Sequence, residues 1–154
     1  MTAPNDSPLV HASLLADMRT ALLAEFGARS MYAHLAVRIR DPELAQVIAR
    51  FHEDEIQIVE RLRQVLTALG MPRIPRKSRR RALLSWCLAF TSRGRASSMA
   101  LRACIDSENV IARWYAEYAR YLAAAGRTVE ARTCDELAGM KLRHARILEA
   151  WVPH

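Results

Sequence analysis

Cysteine is scarce in this chain of 154 residues, and its three copies are odd in number and widely spaced. Cys87, Cys104 and Cys134 lie in apolar helical patterns, which is typical of reduced core thiols rather than of a disulfide framework or a zinc site. No apolar run approaches the roughly 20 residues that span a bilayer, and residues 1–7 lack the basic and apolar regions of a signal peptide. No segment carries a strand signal. We therefore expect an all-helical protein of the cytoplasm.

Acidic residues are fewer than basic ones, 16 against 23, which gives a formal net charge of +7. Hydrophobic residues make up 51% of the chain and charged residues 25%, as is ordinary for a globular protein. The length fits one domain with a sizeable core. We expect a single domain over residues 1–154, with residues 1–7 flexible.

Helix start and stop signals predict four long helices. Pro8 and Pro42 each follow a capping residue and occupy the first helical position, so one helix is expected from Pro8 to near Arg40 and the next from Pro42 to Gly70. Gly126 separates a third helix, 95–125, from a fourth that runs towards 152. Residues 71–94 join the two pairs, and their apolar part predicts a short amphipathic helix. One long crossover between two helical hairpins is the ferritin-like arrangement of a four-helix bundle.

Five ionisable residues interrupt the apolar stripes of these helices. Residues that recur every three or four positions share one face of a helix, and each predicted helix has such a stripe directed at the core. A charged side chain there is strongly disfavoured unless a partner compensates it. The interrupting residues are Glu25, Glu55, Glu108, Lys141 and His144. We expect them to meet in the middle of the bundle.

The two halves of the chain share a spacing. Tyr32 follows Glu25 by seven residues, and Tyr115 follows Glu108 by seven, so each glutamate has a tyrosine two turns later on the same face. Di-iron carboxylate bundles take one Glu from each of two helices and a Glu-x-x-His pair from each of the other two. Here the pairs are Glu55-x-x-Ile58 and Lys141-x-x-His144, which leaves four of six ligands. The pattern indicates a degraded duplication.

Three helical segments occur in a characteristic order: Ala24-Glu-Phe-Gly-Ala-Arg-Ser-Met-Tyr-Ala, Phe51-His-Glu-Asp-Glu-Ile-Gln-Ile, and the segment 103–115. In these segments the chain resembles the demethoxyubiquinone hydroxylases, which are di-iron monooxygenases of ubiquinone biosynthesis. It implies a ferritin-like fold, a quinone or other isoprenoid lipid as ligand, and a membrane-bound crossover. It also implies a homo-oligomer or a complex with a related biosynthetic protein.

The resemblance implies that Glu25, Glu55, Glu108 and His144 are the metal ligands if any metal binds. Ile58 stands where a histidine is expected, and Lys141 stands where a bridging glutamate is expected. An ammonium at that position opposes the binding of two cations. We therefore favour Lys141 as an internal counter-ion, with no cofactor and one neutral carboxyl group; iron is the alternative.

Simpler interpretations stay open for each residue. A glutamate on an amphipathic helix usually faces solvent, a lone histidine is often structural, and the long stem of Lys141 can extend to water. Tyr32 and Tyr115 fit core packing better than redox chemistry. The neighbours of Glu55, from His52 to Asp54, are candidates for replacement ligands, but they project from other faces of that helix, so we favour a solvated face.

Six of the nine residues 73–81 are basic, and an apolar stretch, 82–90, follows directly. Basic residues are attracted to anionic lipid by about 1 kcal/mol each near the surface, while tryptophan and leucine insert beside them. We rank a peripheral site on the inner face of the membrane above a solvated connector, and both above a nucleic-acid site. The predicted membrane contacts are Arg76, Lys77, Arg79, Arg80, Leu83, Leu84, Trp86 and Leu88.

Three functions remain. The first is a quinone- or isoprenoid-binding relative of the hydroxylases at the membrane surface, with a degenerate di-iron site that has lost normal catalysis. The second is an oxygen-dependent hydroxylase with a non-standard site for one or two metals. The third is a basic helical oligomer with no small-molecule role.

Overall fold

The computed structural model describes residues 8–76 and 96–152 and contains four α-helices in these ranges. They are α1 (Pro8–Ala36), α2 (Pro42–Ala68), α3 (Ala96–Ala124) and α4 (Thr128–Glu149). The described residues contain no β-strand. Over residues 8–76 and 96–152, the prediction of an all-helical structure with four long helices is confirmed.

The turn between α1 and α2 is set by the Asp41-Pro42 pair. Asp41 is extended, with φ −70° and ψ 116°, and its Oδ1 accepts hydrogen bonds from the amides of Glu43 and Leu44 at 2.9 and 3.0 Å. This is an N-cap followed by a proline at the first helical position. Helix α1 ends at Ala36, earlier than the predicted Arg40, because the chain turns before the extended residue that precedes the proline.

Two glycines follow the C-terminal ends of α2 and α3. Gly70 has φ 81° after α2, and Gly126 has φ 73° between α3 and α4. Both lie in the left-handed region, where a Cβ atom is unfavourable. Helices α2 and α3 therefore end next to the glycines that the sequence predicted as their ends.

The core consists of two hydrophobic clusters at opposite ends of the bundle. The first core cluster joins the start of α1 to the end of α2, the end of α3 and the start of α4, with Met18, Leu66, Leu122 and Cys134 as members. The second core cluster joins the opposite helix ends, with Leu35, Ile48, Leu101 and Leu148 as members. The five inward ionisable residues belong to neither cluster.

Helices α2 and α3 have the same direction along the bundle. The end of α2 lies in the first core cluster, where Arg127 of the α3–α4 turn donates to the Ala68 carbonyl at 2.7 Å. The start of α3 lies in the second core cluster, around Leu101 and Cys104. The end of α2 and the start of α3 are therefore at opposite ends of the bundle.

Some predictions fall outside the described residues. These are the flexible segment 1–7, the amphipathic helix of the crossover, Cys87, and all predicted membrane contacts except Arg76, which is exposed. Within the described ranges, none of the helices combines the length and apolar character that a membrane span needs.

Gly126→Ala is expected to lower the free energy of unfolding by about 1 kcal/mol, because an L-residue is strained at this positive φ. The midpoint of thermal unfolding is expected to fall by about 2–4 °C. Gly139→Ala is the matched control within α4, where an added Cβ meets only the end of the Arg143 side chain at 3.5 Å. It should leave the midpoint unchanged or raise it, since alanine is the better helix former. Equal losses in both variants would contradict the role of Gly126.

Candidate functional site

The structure brings the five inward ionisable residues together between the two core clusters. Glu25, Glu55 and Lys141 are 0% exposed, Glu108 is 2% exposed and His144 is 3% exposed. Each of the four helices supplies at least one member. Solvent-facing glutamates and a lysine that extends to water are therefore both excluded.

Lys141 is the centre of this cluster. Its Nζ lies 2.7 Å from Glu25 Oε2, 2.6 Å from Glu55 Oε1 and 3.4 Å from Glu108 Oε2. Burial alone would lower the pKa of Lys141, but the three carboxyl groups outweigh this and raise it. The side chain is accordingly a buried ammonium ion.

Two tyrosines complete the carboxyl contacts, and they do so across the bundle. Tyr32 of α1 donates its hydroxyl to Glu108 Oε1 of α3, while Tyr115 of α3 donates to Glu25 Oε1 of α1 at 2.5 Å. Each tyrosine thus bonds to the glutamate of the other helix. Burial, and then the charge of the paired glutamate, raises the pKa of both hydroxyls, which keeps them protonated as donors.

The carboxyl groups are not equivalent. Burial raises the pKa of Glu55, and neither Lys141 nor any other neighbour cancels this effect. Glu55 Oε2 finds no donor among the described residues, whereas a proton on Glu55 can be shared with Glu25 in a hydrogen bond. Glu108 behaves in the opposite way: burial opposes its charge, but Lys141, His144 and Tyr32 together lower its pKa. The site therefore favours the protonated form of Glu55 and the ionised form of Glu108.

His144 lies at the edge of the cluster and faces two ways. Its Nε2 is 2.9 Å from Oδ2 of Asp54, whose side chain is 41% exposed. Its Nδ1 is 3.6 Å from Glu108 Oε2 and 3.7 Å from Glu55 Oε1. Phe51 stacks on the imidazole with ring centroids 4.0 Å apart. His144 therefore connects the buried carboxyl groups to an acidic residue at the surface.

Asp54 contacts the site although sequence reasoning favoured a solvated face for it. Its exposure agrees with the solvated face predicted for residues 52–54, but its carboxylate also contacts the imidazole across the α2–α4 contact. The sequence does carry a chemical signal, because a buried imidazole is favoured by a hydrogen-bond partner. A carboxylate beside the inward Glu55 is placed to supply one.

Ile58 does not join the cluster. It is 0% exposed and packs in the first core cluster, where its side chain has no atom that can bind a metal. The ammonium of Lys141 occupies the space between the three carboxyl groups, where cations would need to bind. A second positive ion within a few ångströms of it would be strongly repelled. The residues present do not fit two irons.

Three side chains nevertheless lie close enough together to bind one metal ion. One ligand atom from each of Glu55, Glu108 and His144 lies within 4.8 Å of the others, and His144 Nδ1 has no hydrogen-bond partner among the described residues. This set can bind one cation if Lys141 moves away from Glu55 and Glu108.

Comparison of the chain with protein-family models, curated proteins and solved structures gives no match.

Lys141→Met is expected to destabilise the fold by about 3–5 kcal/mol at neutral pH, because it leaves buried carboxyl groups without a counter-ion. Glu108 has a lowered pKa in the folded state, so its stabilising contribution is present above its unfolded pKa of about 4.3 and is lost as the pH falls through its folded value. The deficit of the variant should therefore shrink at acidic pH. Urea unfolding measured from pH 3 to 8 tests this.

Arg143→Met is the control for Lys141→Met, because Arg143 is an exposed cation on the same helix. It should change stability by no more than about 0.5 kcal/mol. A Lys141→Met variant as stable as this control would contradict the counter-ion role.

Glu55→Gln is expected to cost less than about 1 kcal/mol, since burial favours the neutral carboxyl group and glutamine has its shape. Glu108→Gln should cost about 1–3 kcal/mol, because it removes a charged partner of Lys141. Glu55 has a raised folded pKa, so the unfolded chain loses this proton first and wild-type stability falls as the pH rises above about 4.3. Glu55→Gln lacks this loss and should gain on the wild type from pH 5 to 7. Equal costs for both variants would show that Glu55 is ionised.

Proposed function

We propose that this protein is a metal-independent relative of the demethoxyubiquinone hydroxylases, which binds a quinone or another isoprenoid lipid at an anionic membrane surface. The observation that carries the proposal is Lys141, whose Nζ contacts three buried carboxyl groups at 2.6–3.4 Å. The resemblance assigns this position to a bridging glutamate. The lysine supplies from the chain the positive charge that iron would supply in an active hydroxylase.

The helix arrangement supports the relationship. The end of α2 and the start of α3 lie at opposite ends of the bundle, as a ferritin-like fold with one long crossover requires. The pairs Tyr32–Glu108 and Tyr115–Glu25 are reciprocal between α1 and α3, as a duplication of two equivalent halves would give. The same relation pairs Glu55 with Lys141 and Ile58 with His144, which are the positions of the two Glu-x-x-His motifs.

The lipid part of the proposal is supported by the sequence resemblance and by the basic segment 73–81. Exposed Arg73 and Arg76 follow α2, and the apolar residues 82–90 come directly after this segment. A polybasic segment beside an apolar one suits a peripheral membrane anchor. We infer a location on the inner face of the membrane, as a homo-oligomer or with a related biosynthetic protein.

A second candidate is an oxygen-dependent hydroxylase with one metal ion. The proximity of ligand atoms from Glu55, Glu108 and His144 within 4.8 Å favours it. This function requires Lys141 to leave its carboxyl partners. Metal binding to the wild-type protein therefore separates the two candidates.

The metal count is the deciding experiment. Wild-type protein purified without chelators and then loaded anaerobically with ferrous iron should hold close to no metal per chain by plasma mass spectrometry. Its thermal midpoint should not change with a chelator. One or two tightly bound irons in the wild type would favour the hydroxylase function.

The double variant Lys141→Glu with Ile58→His should gain two irons per chain, because it restores both missing ligand types to the cluster. Each single variant is a control, and Ile58→His alone should bind none while Lys141 is present. A double variant that folds with its native helix content but binds no metal would contradict the degraded-site account.

Vesicle sedimentation tests the membrane part. Binding is expected to vesicles with 30% phosphatidylglycerol, to fall with salt, and to be lost in Trp86→Ser with Leu88→Ser. Ubiquinone in the vesicles should tighten binding. Val37→Ser with Val129→Ser, two exposed apolar residues outside the predicted anchor, is the control. Metal-free protein that binds neither vesicles nor quinone would leave the basic helical oligomer as its function.

A further inference from the structure

A groove of about 250 Å³ lies between α1 and α3 and is separate from the buried cluster. Its lining residues are Asp17, Thr20, Trp114, Glu117 and Tyr118. The groove is smaller than the roughly 300–1,000 Å³ of drug-sized sites, so it suits a small ligand group.

The lining is acidic although the chain is basic. Asp17 and Glu117 are exposed carboxylates on opposite sides of the groove, and none of the lining residues is basic. The hydroxyl of Thr20 donates to the Ala16 carbonyl at 3.1 Å, so towards the groove this oxygen can only accept. In a protein with a net charge of +7, this local reversal of sign selects for a cation.

Tyr118 gives a second, independent indication of a ligand. It is 8% exposed, its ring packs edge-on against Tyr115 with centroids 6.2 Å apart, and its hydroxyl makes no hydrogen bond within residues 8–76 and 96–152. Burial, and then the negative charge of Asp17, raises the pKa of this hydroxyl. Tyr118 lines the groove, so a ligand there can use the donor and acceptor capacity of this hydroxyl.

The aromatic side chains decide which class of cation fits. Two carboxylates can also bind a hydrated Mg²⁺ ion, but such an ion takes oxygen ligands and makes no use of an aromatic lining. Trp114 is half-buried and presents an indole beside these carboxylates. Ring faces attract organic ammonium groups, and tryptophan does so most strongly.

We propose that the groove between α1 and α3 binds an organic ammonium group, which the Trp114 and Tyr118 rings contact while Asp17 and Glu117 neutralise its charge. The proposal does not depend on the metal or quinone proposals, because the groove shares no residue with the buried cluster. Free amines and the ammonium headgroup of a lipid carry the same chemistry.

Choline is the probe, followed by the indole N–H resonance of Trp114 in ¹⁵N-labelled protein and assigned through Trp114→Phe. A saturable shift with a millimolar Kd is expected, without a parallel shift of the Trp151 resonance. The uncharged analogue 3,3-dimethylbutan-1-ol should bind at least about 5-fold more weakly, since it lacks the charge that the rings and carboxylates recognise. No saturable shift, or equal binding of the analogue, would overturn the proposal.

Asp17→Asn and Glu117→Gln should each weaken choline binding by about 2–5-fold, the range of exposed ion pairs. Asp135→Asn is the control, because Asp135 is exposed on α4 and does not line the groove. Equal affinity in all three variants would contradict the assigned residues. All are surface changes, so circular dichroism should show unchanged folding.

Monomeric dihexanoylphosphatidylcholine separates the two sources of the ammonium group. Binding at least 10-fold tighter than choline assigns the groove to a lipid headgroup, whereas equal binding assigns it to a free amine. Weaker binding of choline or of the phosphatidylcholine in Glu117→Gln keeps the assignment to this groove.

Discussion

The fold depends on one buried ammonium ion. Lys141 of α4 contacts one carboxyl group from each of α1, α2 and α3, so a single side chain ties all four helices at one level of the bundle. A buried ion pair is weak evidence of net stability, because desolvation offsets much of its attraction. Its firmer effect is on register: sliding any helix by one turn, about 5.4 Å, would remove a buried charge from its partner.

The two sides of the site differ in polarity. The Tyr–Glu pairs are reciprocal between α1 and α3, but α2 contributes Ile58 on one side and α4 contributes His144 on the other. Ile58 merges into the first core cluster, whereas His144 lies against Phe51 beside the second and reaches Asp54. Among the described residues, the polar connection to the surface therefore runs through His144 and Asp54.

The sequence allows more to be predicted about the ends and inner faces of the helices than about which side chains contact each other across the bundle. The Asp41-Pro42 cap and the glycines at 70 and 126 are local signals, so the ends of the helices near them are predictable. The convergence of the five ionisable residues follows from apolar periodicity, because a stripe specifies which face is inside. Periodicity does not specify neighbours across the bundle. The bond from Tyr32 to Glu108 instead of Glu25, and that from Asp54 to His144, depend on how the helices lie beside one another.

The buried cluster is closed to ligands, so we expect binding sites at the surface. Tyr32, Tyr115, Lys141 and two of the three glutamates are 0% exposed, and both tyrosine hydroxyls are committed to carboxyl oxygens. A ligand can reach this cluster only if packed helices separate, which costs the burial energy of the side chains between them. The exposed features have opposite charge: basic residues follow α2, and an acidic aromatic groove lies between α1 and α3. A zwitterionic lipid surface with anionic components presents partners for both, and this complementarity unites the two proposals without requiring either.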